Sequence, residues 1–168
     1  MVTQHTRFPN LRDAYSKSGQ TPLSTWILYF HTSAEWLSVW ALLNKNVHNI
    51  DEGAPFFYTK PYIANFALEL IVKARIAFSD ATFNPRANGH RTSQNIIQYQ
   101  SVSPILKRVA NDSDLIDLIK EYQNTIETRF GETAVQTDSD EEAQIIELVR
   151  EIRDEMITLT GVSPNIVS

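Results

Sequence analysis

The chain contains no cysteine among its 168 residues. Disulfide frameworks, thiolate catalysis and thiolate zinc sites are therefore excluded. Glycine is scarce, at five residues with no two adjacent. A P-loop or a dinucleotide fingerprint needs closely spaced glycines after a strand, so neither can be present. No run of about 18 apolar residues occurs, since Glu35, Glu69 and Lys73 interrupt the richest stretches. The opening MVTQHTRFPNLRDAYSK has no apolar core of the signal-peptide kind, which sets the expectation of a cytoplasmic protein away from the membrane. Strand-like alternation and solenoid-type repeats are absent as well. At this length a single domain can bury a sizeable core, so no stabilising metal or disulfide is required.

Charge is unevenly spread. The formal total is -5, with residues 1–131 contributing +2 and residues 132–168 contributing -7. The acidic end would repel a nucleic-acid backbone, and no dense basic run offsets it. Basic groups do gather from Lys73 to Arg91, with Arg75, Arg86 and His90 between them. That grouping reads as a local anion site or, more commonly, as solvated surface.

Helical periodicity dominates what is present. The stretch Pro61 to Asp80 places Ile63, Phe66, Ala67, Leu70, Ile71, Ala74, Ala77 and Phe78 on one wide apolar face, and Leu68, Val72 and Ile76 on the other side. A helix apolar most of the way round is expected to be central. Before it, Thr21-Pro22 forms a helix start. Leu23, Trp26, Ile27, Phe30, Ala34, Leu37, Trp40 and Ala41 then carry the helix to about Asn44 or Asn46. Asn49 to Lys60 reads as a loop, with Pro61 opening the central helix. Asp80 to His90 is turn chemistry, from Asn84-Pro85 and Asn88-Gly89.

Thr92 or Ser93 is expected to cap the next helix, which Pro104 interrupts or restarts. Asp112 or Ser113 caps a helix striped with Leu115, Leu118, Ile119, Tyr122 and Ile126, ending at Arg129-Phe130-Gly131. Ser139 with Glu142 forms a capping-box pattern for the last helix, which Gly161 ends. The expected fold is all-α, an up-and-down bundle of four to five helices. Residues 1–20 form an N-terminal arm or short helix, 21–161 the bundle domain, and 162–168 a loose tail.

Candidate chemistry is sparse. His31 and Glu35 are four apart on one helix, the wrong order and spacing for a di-iron motif, and there is no second copy. They read as a surface or interface pair, and no metal or cofactor is expected. Glu69 and Lys73 are i,i+4 neighbours in the favourable order beside apolar residues. They either fix the central helix against a neighbouring loop or offer a cation at the base of a cleft. His90, near Arg86 and beside Arg91, combines imidazole with guanidinium, the pair metal-free RNA cleavage would use. Its plainer role is to cap a helix or hydrogen-bond a loop carbonyl. One histidine is thin for both acid and base, although a dimer brings two together.

In order, Ala67-Leu-Glu69-Leu-Ile-Val-Lys73-Ala74, then Gly89-His90, then Tyr122 and Arg129-Phe130 resemble the HEPN superfamily (higher eukaryotes and prokaryotes nucleotide-binding domains). In many members a central helix reads Ile/Leu-Glu-x-x-x-Lys-Ala, followed by Gly-His and later by Tyr-x-x-Arg-Tyr. The resemblance spans roughly residues 21–160. It implies an up-and-down bundle that commonly homodimerises, acting either as a metal-independent ribonuclease of defence systems or as a non-catalytic module binding a nucleotide or a partner protein. For the ribonuclease, His90, Arg86 and Arg129 would be catalytic, with Glu69 and Lys73 orienting them. For the binding module, Glu69, Lys73, Asn65 and His90 form the polar cluster. The chain departs from the ribonuclease hallmark of Arg, four to six residues, then His. Only three residues separate Arg86 from His90, and no histidine follows. That departure and the acidic charge favour the non-catalytic module of a bacterial defence or toxin–antitoxin type system.

Overall fold

A computed structural model describes residues 22–46, 56–127 and 139–164. Within these the chain forms six α-helices and no strand. They are α1 (Pro22–Asn46), α2 (Phe56–Ser79), α3 (Thr92–Gln98), α4 (Pro104–Ala110), α5 (Ser113–Glu127) and α6 (Ser139–Thr160), with a 3-10 turn at Gln100–Val102 after α3. Four helices are long, and the interrupted element is α3, the 3-10 turn and α4 together. The all-α bundle expected from periodicity is the observed architecture.

Helix α2 is its centre. It packs against α1, α3, α5, α6 and the 3-10 turn. Both of its apolar sides are used: Ala67 and Ile71 are buried, and so are Leu68, Val72 and Ile76. The small residues Ala64, Ala67, Ala74 and Ala77 let neighbouring helices approach closely. Antiparallel α1 lies along α2, so Trp26 meets Phe78 edge-on at one end and Asn44 accepts from Lys60 Nζ at 3.0 Å near the other. Midway, the buried Ser33 hydroxyl donates to the Ala67 carbonyl at 2.7 Å. An unmatched hydroxyl at this seam would cost about 1–3 kcal/mol, so the bond fixes the register of the two helices.

Several boundaries differ from local sequence expectation, each for a tertiary reason. Helix α2 begins at Phe56, with Pro61 inside it, rather than at Pro61. Proline forfeits one helical hydrogen bond, yet the preceding turn stays helical because Lys60 is anchored to Asn44 and Glu142. Helix α3 takes no side-chain cap: Arg91 is the N-cap residue, and Thr92 and Ser93 lie buried in the first turn. The Ser93 amide and hydroxyl both donate to Gln123 Oε1 on α5. Glu142 reaches other helices: its Oε1 accepts from Trp40 Nε1 at 2.8 Å and pairs with Lys60 at 3.1 Å, while the Ser139 side chain of the expected capping box lies outside the described residues.

Other local signals are realised. The Ser103 hydroxyl accepts from the Ile105 and Leu106 amides, with Pro104 at the start of α4. Asp112 accepts from the Leu115 amide at 3.1 Å, capping α5. Gly161 has φ +68° and ends α6, a left-handed conformation that glycine adopts without strain. Val162 still packs on the core and Pro164 is buried, so the chain stays against the bundle from Gly161 to Pro164. The N-terminal arm and the segment Arg129-Phe130-Gly131 lie outside the described residues.

A buried ionic node ties the far end of α2 to its neighbours. Arg75 Nε donates to Glu155 Oε2 on α6 at 3.0 Å. The same guanidinium donates to the Ser79 hydroxyl and the Val102 carbonyl. The Ser103 hydroxyl that caps α4 donates to Glu155 as well. Among the described residues, no helix is long and apolar enough to cross a membrane.

Candidate functional site: a carboxylate-held imidazole

The site begins with the periodicity of α2. Asn65, Glu69 and Lys73 follow one another at four-residue steps and so share a helix face. All three are buried. Lys73 Nζ donates to Glu69 Oε1 at 2.6 Å and lies 6.0 Å from the centre of the Tyr29 ring on α1. The polar face of the most buried helix therefore carries an ion pair withdrawn from water, which persists only with further partners.

The turn after α2 supplies one. It is shaped by its own side chains: Asp80 Oδ1 accepts from the Thr82 amide at 2.8 Å and its hydroxyl at 2.6 Å. The Thr82 hydroxyl and amide bonds hold the Asp80 carboxyl below its ordinary range. Asn84 Oδ1 accepts from the Arg86 and Ala87 amides. Phe83 and Pro85 are buried, and the Phe83 ring meets Tyr99 edge-on, so the turn is anchored in the core. Gly89 then takes φ +53°, a left-handed conformation suited to glycine, and brings His90 back over α2.

His90 Nδ1 lies 2.8 Å from Glu69 Oε2. Its ring leans on Phe66, with centroids 6.2 Å apart, and Phe66 contacts Trp36 and Tyr62 in turn. The Glu69 carboxylate, already paired with Lys73, can only accept, so Nδ1 carries the proton and donates. This leaves the lone pair of the neutral ring on Nε2, which has no partner among the described residues. The side chain is 47% exposed, so the ring is held from beneath and open above.

The structure thus brings together Glu69, Lys73 and His90. It does not join Asn65 to them: that side chain is wholly buried, and both its Oδ1 and Nδ2 lack a hydrogen-bond partner among the described residues. Arg86 and Arg91 are exposed on the same segment as His90. Arg129 lies outside the described residues. The basic grouping from Lys73 to Arg91 is not one surface. Lys73 and Arg75 are buried and neutralised by Glu69 and Glu155, leaving Arg86, His90 and Arg91 on the outside.

His31 is not half of a surface pair. It is buried beside Phe30 on α1 while Glu35 is exposed. Burial pushes its pKa below the ordinary histidine value, against a smaller opposing pull from Glu35. Among the described residues, no group of three or more His, Cys, Asp or Glu side chains gathers to hold a metal ion.

Sequence reasoning missed the partners rather than the residues. Gln123, Glu142 and Glu155 each act across an interhelical gap, and nothing in their local spacing marks that. Chemically, the site offers one oriented imidazole that can accept or donate a proton at Nε2, with Arg86 and Arg91 exposed on the same segment. No protein-family model matches the sequence, and neither curated proteins nor solved structures give a significant match. The resemblance to HEPN domains therefore rests on the residues themselves, and the helical bundle on the structure.

Proposed function

We propose that this chain is a HEPN-like helical module, cytoplasmic and homodimeric, that binds a nucleotide or a partner protein without catalysing a reaction, as part of a bacterial defence or toxin–antitoxin type system. The observation that supports it is the imidazole of His90, held by Glu69, itself paired with Lys73, and exposed on the same segment as Arg86 and Arg91. Neutral, Nε2 accepts from a ribose hydroxyl or a base N–H; protonated, it donates to a phosphate oxygen. The guanidinium groups suit phosphate.

A panel of nucleoside mono- and triphosphates tests this by thermal shift. Ligand at 100 times its Kd stabilises the fold by about 2.7 kcal/mol. The shift should disappear in an Arg86→Ala/Arg91→Ala variant whose unliganded Tm is unchanged. If no nucleotide shifts the wild type, the nucleotide part of the reading fails.

A second reading is a metal-independent ribonuclease. Its support is that a carboxylate holding Nδ1 leaves Nε2 placed as a general base. Arg86 or Arg129 would stabilise the phosphate, and a second copy would supply the acid. Cleavage of a mixed RNA pool in EDTA, with His90→Ala beside wild type, decides between the two. The binding module leaves RNA intact. Cleavage that the variant loses with its Tm unchanged would establish the nuclease instead.

A further inference from the structure

We infer that His90 is a phosphoryl-acceptor residue, whose Nε2 takes a phosphoryl group from a donor of the phosphoramidate or acyl-phosphate class. Four observations carry this. The hydrogen bond from Nδ1 to Glu69 Oε2, at 2.8 Å, places the nucleophilic lone pair on Nε2. The exposed half of the ring lets a donor reach it. Glu69 is balanced by Lys73 at 2.6 Å, so the pair presents no net charge to repel an incoming phosphoryl dianion. The carboxylate still stabilises the positive charge that grows on the ring as the new bond forms, as an orienting group does for an activated nucleophile. Finally, Arg86 and Arg91 are exposed on the same segment and offer guanidinium groups to the phosphoryl oxygens.

The step balances without a cofactor. The Nε2 lone pair attacks phosphorus and the N–P bond forms. With phosphoramidate in its N-protonated form, the P–N bond of the donor breaks and neutral ammonia leaves with the bonding electrons; with an acyl phosphate, the carboxylate leaves. The Nδ1 proton stays in its hydrogen bond to Glu69, so the product is a cationic Nε2-phosphoimidazole beside an anion. Among the described residues the other histidine, His31, is buried and cannot compete. This chemistry does not depend on nucleotide binding or on HEPN membership.

The test treats the full chain with potassium phosphoramidate in EDTA at neutral pH and follows the intact mass. Phosphorus–proton correlation NMR then identifies the modified nitrogen. A synthetic peptide of residues 84–94 supplies the same local sequence without Glu69. The His90→Gln chain, which keeps His5, His31 and His48, supplies the background. The expected result is labelling of His90 at Nε2, roughly tenfold faster than in the peptide. That factor is the lower end of what a carboxylate partner contributes to a histidine bound to metal. Glu69→Gln should bring the rate down toward that of the peptide. A chain rate no faster than the peptide, label on Nδ1, or undiminished labelling of His90→Gln would each overturn the inference. The peptide comparison and the regiochemistry stand even if Glu69→Gln does not fold.

Discussion

Replacing Lys73 with methionine tests whether the centre of the bundle is held by a desolvated ion pair. The substitution keeps an unbranched chain of similar length in place and removes only the ammonium. Glu69 is then left with its side chain 4% exposed and with His90 as its one remaining partner among these residues. Stranding one member of a buried pair costs about 3–5 kcal/mol. His90 still donates to Oε2, so the lower end, about 3 kcal/mol, is expected. For a urea slope of roughly 2 kcal/mol per molar, the unfolding midpoint falls by about 1.5 M. The assay is urea unfolding followed by far-ultraviolet circular dichroism, which an all-helical chain reports strongly. Replacing both partners, Glu69→Met with Lys73→Met, removes the stranded charge and should recover stability to within about 1 kcal/mol of wild type. An exposed pair, Lys120 with Asp117 at 51% and 72% side-chain exposure, is the internal control. Its loss should cost at most about 1 kcal/mol. If Lys73→Met costs no more than that control, or if the double variant is no more stable than the single, the pair is not desolvated and the reasoning fails.

The ionic node at the other end of α2 makes a parallel case: Arg75→Met should cost about 3–5 kcal/mol in the same assay, because it strands Glu155 and unsatisfies the Val102 carbonyl. Arg108→Ala, which breaks the exposed pair with Glu151, should change stability by no more than about 1 kcal/mol. His31 gives a pH dependence. Its folded-state pKa lies below the ordinary 6.5, so the unfolded chain takes up the proton first as pH falls. The stability it supports is full above about pH 6.5 and declines below, by at most about 1.4 kcal/mol per pH unit. Urea midpoints at pH 7.5 and 5.5 should show the decline, and His31→Phe should flatten it; an unchanged slope in the variant would place the effect elsewhere.

How far the site was legible depended on whether its partners lie close in sequence. Glu69 and Lys73 are one helical turn apart, so their pairing follows from the 3.6-residue repeat. The turn carrying His90 was equally plain, because Asp80, Asn84 and Gly89 act on backbone within three residues of themselves. The partners of Glu142 stayed hidden for the opposite reason. The Trp40 indole and the Lys60 ammonium reach that carboxylate from two other helices, and no local spacing announces either. Pro61 was equally hidden: expected as the first residue of its helix, it lies inside α2, and the turn before it is held from outside through Lys60.

The sequence by itself determined the helical class, the centrality of α2, the turn from Asp80 to His90 and the pairing of Glu69 with Lys73. Each depends on periodicity or on hydrogen bonds spanning a few residues, which local chemistry dictates. Only the tertiary structure decided that His90 folds back onto Glu69 and that His31 is buried. It also decided that Arg75 and Glu155 close a node across four elements, and that Asn65 lies buried with its amide unengaged by any described residue. Those outcomes turn on which helix faces which, and burial and partner choice exist only once the helices have packed.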